Sequence, residues 1–167
     1  GLIWYQRRFN HRLAKNKRLH IYFEAANYIA QVYVNGTLIG THEGGFTPFA
    51  FDITEHVQDG DNSLVVAIDN THGPETLPAS DFDWKNYGGI TRSVWLVETP
   101  NTFIHDYWVR LEGDSVVADI RFSGNRVGNK KVVVLVPELG LRLSGRSQPD
   151  GRMQLSHPAP PALTRWS

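Results

Sequence analysis

Asp83 and Trp84 stand just ahead of a paired glycine, in the stretch Asp83-Trp84-Lys85-Asn86-Tyr87-Gly88-Gly89-Ile90-Thr91-Arg92-Ser93-Val94. A carboxylate takes two hydrogen bonds from vicinal hydroxyls, and an indole face stacks on the apolar face of a pyranose. Gly88 and Gly89 lack Cβ, so the backbone there turns tightly or passes close against another surface. That geometry would hold Asp83 and Trp84 at the rim of a sheet, where a sugar could meet them. The same residues also suit a plain turn with a solvated carboxylate and a half-buried indole, and local chemistry alone favours the plainer reading.

Other residue types narrow the chemistry further. His11, His20, His42, His56, His72, His105 and His157 are scattered, with neither H-x-x-x-H nor H-E-x-x-H spacing. Cysteine is absent, so there is no disulfide framework and no thiolate site. No metal site is expected from these spacings. Asp81 with Asp83, or Asp52 with Glu55, would pass for a carboxylate pair. Two-carboxylate catalysis needs a defined separation and opposed pKa values, so neither pair is expected to be catalytic.

Charge and length set the outer bounds. The 167 residues carry 17 basic and 17 acidic side chains, so no basic stripe invites nucleic acid. Five Trp, six Tyr and eight Phe within a 41% hydrophobic composition suffice for a packed core. No run of about 18 apolar residues is present to span a membrane. The N-terminus begins in strand-like sequence with no apolar signal core. The expected protein is soluble, of bacterial cytoplasm or periplasm, with the compartment left open.

The elements that position these residues read as strands. Leu19, Ile21 and Phe23 alternate with His20, Tyr22 and Glu24, the period of a half-buried strand. Val32-Tyr33-Val34 runs into Asn35-Gly36 and then Thr37-Leu38-Ile39, a hairpin signal. Phe49 to Thr54, Ser63 to Asp69 and Thr91 to Glu98 are further strands, and only Asp52 to Gln58 offers helical spacing. The loop Asn70 to Phe82 is long for a compact domain, and long loops often carry function. Trp4, Trp95 and Trp108 lie on strands and are expected in core or interdomain packing. His42 is expected to be a hydrogen-bonding turn residue.

The pattern restarts after Thr99-Pro100-Asn101, where Pro100 cannot donate to a ladder. Thr102 to Leu111 reads as a strand with Phe103, His105, Tyr107 and Val109 on one face. Val116, Ala118, Ile120 and Phe122 then alternate, Lys131 to Val136 follows, and Leu139 to Leu143 and Arg152 to Leu155 are shorter candidates. Pro158-Ala159-Pro160-Pro161 is expected to be extended and stiff. The whole is an all-β chain of two sandwiches, the second short of the roughly seven strands usual for its type. A shortened sandwich exposes edges and apolar faces, so a homo-oligomer is expected.

Taken in order, several segments carry a resemblance. They are Trp4-Tyr5-Gln6-Arg7-Arg8-Phe9, Val32-Tyr33-Val34-Asn35-Gly36 with Ile39-Gly40, and His42-Glu43-Gly44-Gly45-Phe46-Thr47-Pro48-Phe49. Gly60-Asp61-Asn62-Ser63-Leu64-Val65-Val66, Trp84 to Val94, Thr99-Pro100 with Ile104-His105-Asp106, and Arg165-Trp166-Ser167 complete the series. Each is weak alone. In this order they resemble the N-terminal part of glycoside hydrolase family 2, the β-galactosidase, β-glucuronidase and β-mannosidase group. The resemblance is good over residues 2–111 and looser beyond.

The resemblance implies a sugar-binding jelly roll over residues 1–99, lacking its first strands, and part of an immunoglobulin-like sandwich over residues 100–167. It implies a catalytic barrel elsewhere in the same polypeptide, so no residue here is assigned as acid or nucleophile and this segment alone is expected to be inactive. The parent would be a retaining hydrolase of terminal β-glycosides, β-galactosides first and β-glucuronides next. In the family, the Asp five positions ahead of the small-Gly-Ile triplet reaches the active site and contacts the terminal sugar. Asp83 stands five positions ahead of Gly88-Gly89-Ile90. Trp84 is carried over as a sugar contact or as packing beneath the loop. Asn86 and Tyr87 are carried over as structural support, and Arg92 is expected to pair within the fold. A sodium ion near Asp83 is implied only for some full-length enzymes, with no other cofactor. A free-standing carbohydrate-binding module and a structural or oligomerisation domain are the competing readings.

Overall fold

The computed structural model describes residues 1–71, 73, 87–161 and 163. It divides into two compact units, Gly1–Pro100 and Asn101–Ser167. The first unit contains β1 (Leu2–His11), β2 (Lys17–Phe23), β3 (Ala26–Asn27), β4 (Ile29–Val34), β5 (Thr37–Glu43), β6 (Phe49–Asp52), β7 (Gly60–Asp69), β8 (Gly89–Ile90) and β9 (Val94–Pro100). Two antiparallel sheets, ordered β1-β7-β4-β5 and β6-β2-β9, sandwich the core, and β3 and β8 form a short ladder of their own.

Alternation along β2 and β4 decides which side chains meet between the sheets. Leu19, Ile21 and Phe23 of β2 face Ala30, Val32 and Val34 of β4, with Val66 and Ile68 of β7 and with Ile53. All are at most 1% exposed, and each large side chain so buried contributes about 1.5–3 kcal/mol. The Asn35-Gly36 turn joins β4 to β5 with φ of 49° and 82°, the positive values a type I′ turn requires. The helical spacing near Asp52 to Gln58 becomes a single 3-10 turn, Thr54–His56, as expected for a segment too short to nucleate an α-helix.

A buried amide ties the 3-10 turn to the hairpin. Asn62, 3% exposed, accepts from Gln58 N at 2.9 Å and from Asn35 Nδ2 at 2.8 Å. Its own Nδ2 donates to the carbonyls of Gln58 and Gly60. Four polar groups of an otherwise costly loop are thereby satisfied.

The second unit contains β10 (Thr102–Glu112), β11 (Ser115–Gly124), β12 (Lys131–Val136), β13 (Leu141–Arg146) and β14 (Arg152–Pro158). Its sheets are β10-β11-β14 and the β12-β13 hairpin. Val116, Leu141 and Leu143 form one apolar cluster, and Ile120, Val132 and Met153 another. The face expected on β10 is corrected by a bulge between Ile104 and Asp106. The extra residue moves Ile104 onto the side of Tyr107, Val109 and Leu111 and puts Phe103 on the other. The stretch after Pro158 does not stay extended, because Leu163 N bonds the carbonyl of Pro160 in a turn.

The three strand tryptophans are not core residues. Trp4, Trp95 and Trp108 are 59%, 54% and 62% exposed. Each lies on a strand stretch whose neighbours are also exposed: β1 from Leu2, β9 from Trp95 to Val97, and β10 across Tyr107 to Val109. No helix among the described residues is long and apolar enough to cross a membrane.

Candidate functional site

Three backbone segments of the first unit meet at Asn27, a residue 1% exposed at the end of β3. The pairing of β3 with β8 sets Asn27 opposite Gly89 and Ala26 opposite Ile90. Asn27 Nδ2 donates to the carbonyl of Tyr87 at 2.9 Å. On its other side lies the turn of residues 44–48. A Cβ on Gly45 would overlap the Asn27 side chain, so only glycine lets that backbone approach the amide.

The paired glycine behaves similarly. A Cβ on Gly88 would overlap the side chain of Asn70, and one on Gly89 would overlap the hydroxyl of Tyr5. Gly89 also has φ of +104°, a region L side chains rarely adopt. The backbone at Gly88 and Gly89 therefore lies directly on polar side chains of β1 and of the β7 exit.

At the start of the long loop, Asp69 takes hydrogen bonds from Thr71 Oγ1 at 2.5 Å and Thr71 N at 2.8 Å. These bonds hold its carboxyl below the usual carboxylate range. Tyr28 N donates to the carbonyl of Asp69. After the loop, Glu24 accepts from Trp95 Nε1 at 3.0 Å and Ser93 N at 3.3 Å. Asp69, the last residue of β7, thus holds the start of the loop, while Glu24, just past β2, holds the entry to β9.

The turn of residues 44–48 is fixed by an aromatic stack. Phe23 lies on Phe49 at 4.7 Å and 8°, and Phe49 lies on His42 at 4.0 Å and 15°. His42 Nε2 also shares a 3.3 Å hydrogen bond with Thr47 Oγ1, so it bonds the turn as expected but from within β5 and not as a turn residue itself. Each loop leaves an aromatic in solvent, Phe46 at 63% and Tyr87 at 77% exposed. A cavity of about 570 Å³ opens between β1 and β9, lined among others by Phe9, Ile21, Phe23, Leu64 and Val66. These are core side chains and offer few groups to a polar ligand.

Asp83, Trp84 and Asn86 lie outside the described residues, and the sodium ion implied beside Asp83 falls with them. Tyr87 supports the loop base through its backbone carbonyl. Arg92 is exposed and makes no ion pair among the described residues, so the structural pairing expected of it is not found there. Asn27 was not singled out from the sequence. Its signal is an amide inside the small apolar run Ala25-Ala26-Asn27, where a polar group must find a partner. Among the described residues no group of three His, Cys, Asp or Glu side chains is arranged to hold a metal.

Residues 1–100 match the family described as "Glycosyl hydrolases family 2, sugar binding domain". A β-galactosidase of Thermoanaerobacter pseudethanolicus is 36% identical over 142 residues, covering 80% of this chain and 19% of that protein. A β-glucuronidase of Rattus norvegicus is 34% identical over 149 residues, covering 73% and 23%. The chain thus spans about a fifth of the length of these relatives. In structure it is similar to the Bifidobacterium dentium β-glucuronidase complexed with coumarin-3-O-glucuronide, with TM-score 0.79 and 28% identity. That match covers 95% of this chain and 34% of that one.

Proposed function

Because the chain belongs to glycoside hydrolase family 2 and carries that family's sugar binding domain, we propose that it is the non-catalytic N-terminal portion of a hydrolase of terminal β-glycosides. Its own share of the work is to hold a sugar at the loop between Asn70 and Gly88. Asp83 supplies the carboxylate that bonds sugar hydroxyls, and Trp84 supplies an apolar face or packs beneath the loop.

One observation carries this reading. The backbone beside Asp83 and Trp84 is anchored to a buried amide, through Asn27 and the carbonyl of Tyr87, and to Asn70 and Tyr5 through glycines that admit no side chain. Rigid anchoring of a loop base cuts the ordering cost of binding. Chemical steps belong to carboxylates elsewhere in the polypeptide, since protonating a leaving oxygen and forming a glycosyl-enzyme needs two carboxyl groups about 5 Å apart.

For the sugar, a β-galactoside and a β-glucuronide are the two candidate substrates, since similar proteins carry both names. The test compares hydrolysis of p-nitrophenyl β-galactoside and β-glucuronide by the 167-residue chain and by the full-length gene product. Turnover by the full-length product alone supports the reading, and the faster substrate names the sugar. Turnover by the 167-residue chain would overturn its non-catalytic role. Absence of turnover from both, with tight glycan binding by the chain, would make it a binding module instead.

A further inference from the structure

The outward face of β10-β11-β14 carries a second arrangement of sugar-binding chemistry, in a unit that the family match does not reach. Cross-strand register places Trp108 opposite Asp119, Asp106 opposite Arg121, Asp119 opposite Gln154 and Arg121 opposite Arg152. These six residues line a cavity of about 410 Å³, a size within the range of small-molecule sites.

The Arg110 guanidinium lies over the Trp108 ring at 4.5 Å. Arg110 is in turn held by Asp119 and by Glu112. Trp108 lines the cavity and is 62% exposed, so part of the indole is open to a ligand. An exposed indole offers the flat apolar surface on which a pyranose stacks.

The polar lining divides into occupied and available groups. Asp119 is occupied at both oxygens, by Arg110 and by Gln154 Nε2 at 2.9 Å. Arg121 and Arg152 sit directly opposite each other, an arrangement of like charges that destabilises a sheet. Asp150 lies 3.6 Å from Arg152 Nε, whereas the Arg121 guanidinium forms no hydrogen bond or ion pair among the described residues. Two guanidiniums at one end of a cavity are offset by a ligand anion, and a carboxylate accepts from such forks in a bidentate manner.

We infer that this face binds an acidic saccharide unit: its ring stacks on the exposed indole of Trp108, and its carboxylate is taken by Arg121 and Arg152. Asp106 accepts from a ring hydroxyl. This site is separate from the loop that carries Asp83 in sequence and in unit, and it does not depend on that loop's role.

The test follows the indole N–H resonances of the 167-residue chain by NMR during titration with hyaluronan tetrasaccharide, and in parallel with chitotetraose, which lacks the carboxylate. The Trp108 resonance is expected to shift with hyaluronan, with chitotetraose about tenfold weaker or worse. Arg121→Gln and Arg152→Gln are expected to weaken hyaluronan binding by about tenfold each, Trp108→Ala to abolish it, and Asp83→Ala to leave it unchanged. Arg121 is exposed, so its variant tests the site even if Trp108→Ala fails to fold. An unmoved Trp108 resonance, equal binding of the two tetrasaccharides, or full binding by the Arg121→Gln protein would each overturn the inference.

Discussion

Asn27 donates its side-chain N–H to the main-chain carbonyl of Tyr87 across 2.9 Å, while its own Cβ and carboxamide fill the space a side chain on Gly45 would need. One buried amide thereby sets the position of two loops that are far apart in sequence. Both loops lie at one end of the first sandwich, and one of them leads directly to Trp84 and Asp83.

Removing that amide should loosen both loops together. Asn27→Ala leaves the Tyr87 carbonyl without this donor, at a cost of about 1–3 kcal/mol. In the full-length protein KM for the better aryl glycoside should rise more than kcat falls, because the loop must then be ordered on binding. Thermal melting and steady-state kinetics check the two effects. A wild-type KM would show that the anchor does not serve the sugar.

Three glycines separate conformational strain from steric overlap. Gly36 has φ of +82° with open space around it, Gly88 would overlap Asn70 without a positive φ, and Gly89 combines φ of +104° with overlap on the Tyr5 hydroxyl. Gly36→Ala should cost about 1–2 kcal/mol for the left-handed backbone, and Gly88→Ala about 1–3 kcal/mol for overpacking. Gly89→Ala should cost roughly both terms together, with Tyr5→Phe recovering part of the loss as a coupled neighbour. Chemical denaturation of the four proteins measures this order, and equal losses at all three glycines would refute it.

Much of the first sandwich follows from period and turn chemistry. The alternation of Leu19, Ile21 and Phe23 and the Asn35-Gly36 hairpin are local signals, and the strands form where those signals lie. The family's turn at residues 42–49 and its paired glycine were also legible as motifs. Their meeting on Asn27 was not, because a contact between residues 60 positions apart leaves no periodic mark. Burial of the Asn62 amide leaves no periodic mark either, although it bonds both Gln58 and Asn35. The bulge at Ile104/Asp106 escaped notice because apolar residues occur on both parities of β10. Exposure of Trp4, Trp95 and Trp108 contradicted the usual burial of indoles, which is an average over residue type and not a rule for edge and outward positions.

Acid should release one specific tie of the first unit. Partial burial of Asp52 favours its protonated form, but hydrogen bonds from Thr54 Oγ1 and N, from Arg18, and the nearby His20 outweigh it and hold the carboxyl below its ordinary 3.8. Arg18 Nε reaches it at 2.6 Å and Nη2 at 2.5 Å. A carboxyl lowered on folding stabilises fully above its unfolded value, and that contribution is lost as pH falls through the folded value. Asp52→Asn should therefore lower the melting temperature at pH 7, with the difference shrinking below about pH 3.8. A difference that stays constant into strong acid would contradict the linkage.

Self-association of the isolated chain is expected through β10, one of the two edge strands of its sheet. Ile104, Tyr107, Val109 and Leu111 share one face and are 50%, 71%, 40% and 38% exposed. Such an apolar edge pairs readily with another copy. Light scattering should give a mass above the 18.9 kDa of one chain, and Tyr107→Arg should bring it down to that value. A monomer at all concentrations would remove this expectation.

The central claim is that this chain holds a sugar for carboxylates that lie elsewhere in the polypeptide, and that Asp83 makes the contact. Its most direct test is kcat/KM of full-length Asp83→Ala on p-nitrophenyl β-galactoside and β-glucuronide, with thermal melting run alongside. Loss of charge-assisted hydrogen bonds worth about 1.5–3 kcal/mol predicts a fall of roughly ten- to a hundredfold on the better substrate, with an unchanged melting temperature. Wild-type kcat/KM on both substrates in a folded protein would contradict it.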